Sequence, residues 1–184
     1  MSANDLNSRT EIGTTGVAVP PIAFGTSALG DMPDTYGYSV DEARARETLT
    51  AVLTGPMPFV DSSRNYGFGR SEERVGDAIR ALGGMPEGAV LSTKLDRDSE
   101  TGRFDAAQAR RSLEGSLAAL GVDTIDILHL HDPEHARDID EIRATDGAIA
   151  ELFKMKEEGI CRAVGLAAGV VDVMMPLLAA FDFD

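Results

Sequence analysis

A chain of 184 residues, 43% of them apolar, is long enough for one domain with a real core and too apolar for a disordered segment. It is short for an eight-unit α/β barrel, which typically takes ~250 residues. A formal net charge of −14, from 31 acidic and 17 basic residues, weighs against nucleic acid and anionic membrane as partners.

Residues 1–15 are polar and read as a flexible N-terminal lead, leaving 16–184 as one domain without an internal linker. From there, strand and helix patterns alternate. Pro21–Phe24 is a short apolar run closed by Gly25-Thr26-Ser27. Residues 41–53 repeat apolar positions at a helical period, and Ser39 with Glu42 fits a capping box. Phe59–Asp61 is the next strand. After Ser71, a helix carries Val75, Ala78, Ile79 and Leu82 on one face and stops at Gly83-Gly84. Ala89–Lys94 is a third strand. Asp105 caps a helix, with Gln108 three residues on, and Gly121 ends it. Ile125–His131 is a fourth strand, followed by a helix over about 146–158. Arg162–Leu166 is a fifth strand, Val171–Ala180 a fifth helix, and Phe181–Asp184 the start of a sixth strand. The most apolar stretch, 165–181, contains Asp172 and Pro176, which excludes a membrane span there.

Repeating βα units imply a parallel sheet with right-handed crossovers. The alternatives are an open doubly wound sheet and a (β/α) barrel. The first turn reads GTSALG and lacks the GxGxxG spacing of a dinucleotide-binding open sheet, so the barrel is favoured. Cys161 is the single cysteine, so no internal disulfide can form. The opening MSANDLNSRTEIG has no apolar run of the secretory kind. Both features point to a cytoplasmic setting.

The stretch FVDSSRNYGFGRSEERVGDAIR, Phe59–Arg80, is the most informative. Asp61 closes a strand and Tyr66 follows in a Gly-rich loop. Lys94 ends AVLSTKL and His131 ends IDILHLH. Each alone has an ordinary explanation as a cap, a surface group or a turn. Together, at successive strand ends, they converge on one face of a barrel. That set suits carbonyl reduction. No side chain donates hydride, so a nicotinamide must supply it. Tyr66 can donate the proton. Its ordinary pKa of about 10 is too high for the reverse step near neutrality, and a Lys94 ammonium is expected to lower it. Asp61 keeps Lys94 charged and placed. A neutral His131 can orient the carbonyl as a hydrogen-bond donor. The strand period puts Ile127, His129 and His131 on one face. His129 reads as a core histidine with a polar neighbour, and His135 as solvent-exposed. Neither spacing makes a metal site.

These motifs resemble the aldo-keto reductase family. FVDSSRNYG followed by SEERVGDAI, LSTKL, DILHLHDP and the opening VPPIAFGTSALG each match a family segment, together covering roughly residues 14–184. HDPE is similar to the sugar and pyridoxal dehydrogenase branch. The resemblance implies the N-terminal five and a half units of a (β/α)8 TIM barrel. It implies Tyr66 as general acid/base, Lys94 and Asp61 as its tuning pair, and His131 as the orienting donor. It further implies NADP or NAD as cofactor, with Gly25, Thr26 and Asp61 nearest the nicotinamide and ribose, and an aldehyde, ketone or sugar hemiacetal as substrate.

Two departures stand out. Gly165-Leu166-Ala167-Ala168 replaces the family's Ser-Asn after the fifth strand. The family's later nicotinamide-stacking aromatic and phosphate loops have no counterpart in this sequence. A truncated, non-catalytic binding or assembly module is therefore the alternative. Open sheet edges would favour self-association.

Overall fold

The computed structural model describes residues 8–184. A hairpin opens it, with β1 (Thr10–Glu11) antiparallel to β2 (Ala18–Val19). The polar lead expected over 1–15 therefore contains a paired strand. Glu11 and Thr15 account for it locally: the Thr15 hydroxyl donates to the Ile12 carbonyl, and the Glu11 carboxylate accepts from the Gly16 N–H. Residues 1–7 lie outside the described residues.

Then follow β3 (Phe24–Gly25), α1 (Pro33–Tyr36), α2 (Glu42–Leu53), β4 (Phe59–Asp61), α3 (Arg70–Ala81), β5 (Val90–Leu95) and α4 (Ala106–Leu120). The described chain continues with β6 (Ile125–His131), α5 (Ile139–Arg143), α6 (Ala148–Glu157), β7 (Cys161–Ala167) and α7 (Val171–Ala180). The five long-range strands pair in parallel in the order β3-β4-β5-β6-β7. A doubly wound sheet reverses its winding at a switch point. This sheet never does, so successive crossovers turn the same way, as in a barrel.

Strand alternation sorts the side chains. Val60, Leu91, Leu95, Leu128, Leu130 and Val164 belong to the main core, shared with the helices. Val90, Ile127 and Ala163 form a second cluster with Val17, next to the hairpin. The hairpin thus packs its apolar residues against the inner side of the sheet, while Asp61, Ser92, Lys94, His129 and His131 continue that side toward the strand ends.

Helix ends follow from caps. Asp105 accepts from the Gln108 N–H and Gly121 closes α4 with φ 69°, as the sequence indicates. The start of α2 differs. Its cap is Asp41, whose carboxylate accepts from the Arg44 N–H, so no Ser39–Glu42 box forms. A carboxylate is as good a cap as serine, and Asp41 stands next to the first turn. Residues 181–184 also differ from the expected strand. Phe181 and Phe183 pack on the core, and only Asp184 reaches β7, donating its N–H to the Val164 carbonyl.

Gly76 sets the distance between α3 and α4. A Cβ there would collide with the Ala119 carbonyl oxygen. In an open helix, Gly→Ala gains about 1 kcal/mol. Here the neighbour is backbone, so overpacking of ~1–3 kcal/mol wins. Gly76→Ala is expected to lower the urea unfolding midpoint; an unchanged or raised midpoint would contradict the close approach.

Candidate active site

The site begins with an ion pair between a buried lysine and a partly buried aspartate. Lys94 Nζ donates to Asp61 Oδ2 and to the Ser62 carbonyl, both at 2.6 Å. The Ser92 hydroxyl donates to the other Asp61 oxygen at 2.9 Å. The Lys94 side chain is 7% exposed, so its charge is viable only with these partners. Period-two alternation puts Ser92 and Lys94 on the same inner face of β5, next to Asp61 at the end of β4.

Tyr66 reaches the pair from the loop between β4 and α3. Lys94 Nζ lies 4.9 Å from its ring centre. The sequence suggests a net lowering of the Tyr66 pKa. Instead, burial of the phenol raises it above its ordinary value, and the Lys94 charge offsets that only in part. The correction has a simple source: the pattern identifies the neighbouring cation but not how far the loop buries the phenol. Two glycines fix that loop. Gly67 has φ 63°, and a Cβ there would strike the Gly30 carbonyl; a Cβ on Gly30 would come within 2.9 Å of Gly67 Cα.

His131 closes β6. Its ring meets Tyr66 edge-on, with centres 5.9 Å apart. Asp96, which the motif reading passes over, holds it: Oδ1 lies 2.6 Å from His131 Nδ1. Asp96 is 3% exposed. It also accepts from the Ser63 hydroxyl and from the backbone and side-chain N–H of Asn65. The available signal was an acid two residues after Lys94, just beyond the strand.

Tyr66, His131 and Asp96 border a cleft of about 930 Å³. Met32, Tyr36, Arg64, Phe68 and Arg97 line its rim. Asp61 and Lys94 stand behind Tyr66 rather than in that wall. All four sequence-derived residues therefore gather at one end of the sheet. Gly25 and Thr26 lie beside Asp61, with Gly25 paired to it in register. The Thr26 hydroxyl donates inward to the Asp61 carbonyl and is buried. Gly25 faces open space: a Cβ there would meet nothing within 4 Å.

His129 stands one layer below His131. Its Nδ1 is 3.3 Å from the Ser92 hydroxyl, and burial holds its pKa below the usual imidazole value. Gly165 leaves room for the ring, since a Cβ would come within 2.6 Å of His129 Cδ2. Glu72 is the other unforeseen group. It is fully buried, accepts from the Thr93 hydroxyl at 2.6 Å and has a pKa raised by burial. It braces the outer face of β5 rather than the cleft. Burial pushes the Cys161 thiol up to about 12, which keeps it protonated and unreactive.

Comparison with known proteins agrees with this geometry. Residues 21–182 match the model of the Aldo/keto reductase family. Over 167 residues the chain is 33% identical to L-galactose dehydrogenase of Arabidopsis thaliana, covering 91% of this chain and 50% of that protein. The holo form of an aldo-keto reductase from Bacillus halodurans superposes with a TM-score of 0.75 at 26% identity, over 96% of this chain and 55% of that one. An aldo-keto reductase from Klebsiella pneumoniae in complex with NADPH gives 0.67 at 26% identity, over 88% and 50%. The chain spans about half the length of the curated relatives it matches. With its parallel sheet in sequence order and these matches, the chain belongs to the aldo/keto reductase family of oxidoreductases and is built as the N-terminal part of its barrel.

Proposed function

We propose that this chain carries the proton-transfer machinery of an NAD(P)-linked oxidoreductase acting on an aldehyde, ketone or sugar hemiacetal. The carrying observation is the cluster itself: Tyr66 borders the cleft with Lys94 and Asp61 behind it and His131 beside it. The similarity to L-galactose dehydrogenase supports a sugar-like substrate. NADP(H) is supported by the NADPH-bound relative.

The residues present fit the nicotinamide end of such a cofactor. Gly25 leaves space beside Asp61, and Asp61 has a partly exposed carboxylate, 26% accessible. Gly25, the main chain of Thr26 and Asp61 would hold the nicotinamide and ribose. The bound nicotinamide supplies or takes the hydride. Tyr66 gives or takes the proton at its hydroxyl oxygen, with the Lys94 ammonium beside it. Lys94 favours the phenolate, and Asp61 with Ser62 holds Lys94. At the end of β7, Ala167 leaves main-chain groups alone to meet the carboxamide. A cytoplasmic setting fits the single buried thiol.

A second reading, a binding or assembly module, draws on a different observation. The sheet has β3 and β7 at its edges, and Val171, Met175 and Leu178 of α7 are exposed. Unpaired strand edges invite association with another chain.

Three outcomes are expected. Tyr66→Phe should lower kcat by ~10²–10⁴ while leaving NADPH affinity unchanged, because the hydroxyl acts on substrate; fluorescence titration and steady-state kinetics check this, and near-normal turnover would sink the assignment. Lys94→Met removes the cation that holds the Tyr66 pKa down. Burial then acts unopposed, and the rising limb of hydroxyl oxidation moves to higher pH. A pH–rate profile that stays in place would show that Lys94 does not tune Tyr66. For the module reading, sizing chromatography should show the apparent mass growing with protein concentration; a monomer at every concentration rejects it.

A further inference from the structure

Among the described residues, Arg97 is the one arginine that is half-buried and has neither a hydrogen bond nor an ion pair. It follows Asp96 in the loop between β5 and α4 and borders the cleft. Its Nη1 is closed off from solvent without an acceptor. The other half-buried arginines are tied: Arg64 to Glu72, Arg74 to the Leu29 and Val40 carbonyls, Arg103 to Asp105, and Arg110 to Glu151 and Glu158. A guanidinium cannot escape the cost of burial by losing its proton. Water can accept from a buried N–H but brings no negative charge.

Arg111 of α4 borders the same cleft. Its Nε and Nη2 donate to Gln108 Oε1 at 3.2 and 2.9 Å, and Gln108 Nε2 donates on to the Asp96 carbonyl at 3.1 Å. Gln108 is neutral, so this contact aims the guanidinium and leaves its charge uncancelled. The nearby acids are engaged elsewhere. Asp98 Oδ1 accepts from the Thr101 hydroxyl and from the N–H groups of Thr101 and Glu100. Those Thr101 bonds, and more weakly Arg111, hold the Asp98 carboxyl below its usual range, but no ion pair closes. Asp96 takes His131 and Asn65, and Asp132 Oδ1 faces His131 Nε2 at 3.6 Å. With 31 acidic residues against 17 basic ones, carboxylates are not scarce in this chain. Two arginines on one cleft nevertheless pair with none of them.

We propose that Arg97 and Arg111 form an anion subsite that takes a carboxylate or phosphate carried by the substrate away from its reacting carbon. The planar fork of arginine matches two oxygens of either group. A cleft of about 930 Å³ in an acidic protein suits a small molecule rather than nucleic acid or a membrane. Tyr66 borders the same cleft, so one molecule can meet both. The groups assigned to the nicotinamide stand at the ends of β3 and β4, whereas Arg97 and Arg111 lie past β5. The anion therefore belongs to the substrate and not to the cofactor. That half of the proposal rests on the oxidoreductase reading above; the binding of an anion does not.

Glucuronate, glucose 6-phosphate and glucose differ only at carbon six, and calorimetric titration of the chain without cofactor compares them. At least one of the two anions should bind roughly 10- to 150-fold tighter than glucose, the range of one charge-assisted hydrogen bond. Glucuronate alone would assign a carboxylate, and glucose 6-phosphate alone a phosphate. Arg97→Gln and Arg111→Gln should each remove most of the preference. No preference for either anion in the wild type overturns the subsite, whether or not the variants fold. So does a preference that survives Arg97→Gln. A loss of NADPH affinity in Arg97→Gln assigns the guanidinium to the cofactor and overturns the proposal as well. In steady-state kinetics with NADPH, the preferred anion should exceed glucose in kcat/KM by the same factor, mainly through KM, because a remote contact is made equally before and during reaction. An anion that binds tighter but is turned over no better than glucose overturns the substrate half. Turnover of none of the three, with the binding preference intact, counts against the oxidoreductase reading and leaves the anion subsite standing.

Discussion

The buried contact between Lys94 and Asp61 is the constraint around which the rest of the site is arranged. An ammonium removed from water needs a carboxylate and further acceptors, or it loses its charge. Lys94 has Asp61 and the Ser62 carbonyl. Meeting that need fixes the ends of β4 and β5 relative to each other. The Asp61 carbonyl in turn takes the Thr26 N–H and hydroxyl, which brings in the end of β3. Ser71 donates to Thr26 and so anchors the start of α3. One desolvated charge thus stitches three strands and a helix at the end of the sheet where the cleft opens.

A second polar web lies on the other side of Tyr66. Asp96 gathers Ser63, Asn65 and His131, and its own N–H is within 2.9 Å of the Ser112 hydroxyl on α4. The two webs share the segment 61–65, since Ser62 serves one and Ser63 the other. That segment leads directly into Tyr66. The phenol is therefore carried by a backbone bonded from both sides, with Lys94 beside its hydroxyl. Fully satisfied buried networks of this kind rigidify a site, and a half-satisfied one would weaken it.

The βα alternation, the helix stripes and the Asp, Tyr, Lys and His positions are legible in the sequence because they follow local periods and strand ends. Val75, Ala78 and Ile79 of α3 are buried as their spacing indicates. What is not legible depends on distance in space. Asp96 reads as a loop acid until Asn65 and His131 are brought beside it. Glu72 reads as a first-turn acid, and the fold instead turns it onto Thr93 inside the protein. The balance on the Tyr66 pKa also needs burial, which no motif encodes. Short elements such as β1 and α5 carry too few residues to show a period.

The contact between Gly30 and Gly67 involves two backbones and no side chain. It fixes the height of Tyr66 above the sheet without reference to what borders the cleft. Met32 and Phe68 sit on the same two loops and Tyr36 on the short α1, but none takes part in either polar web, and Phe68 is 93% exposed. The rim can therefore diversify while the proton machinery stays in place. In evolutionary terms, substrate range and chemistry are separable traits here, joined at a pair of residues that neither trait can change alone.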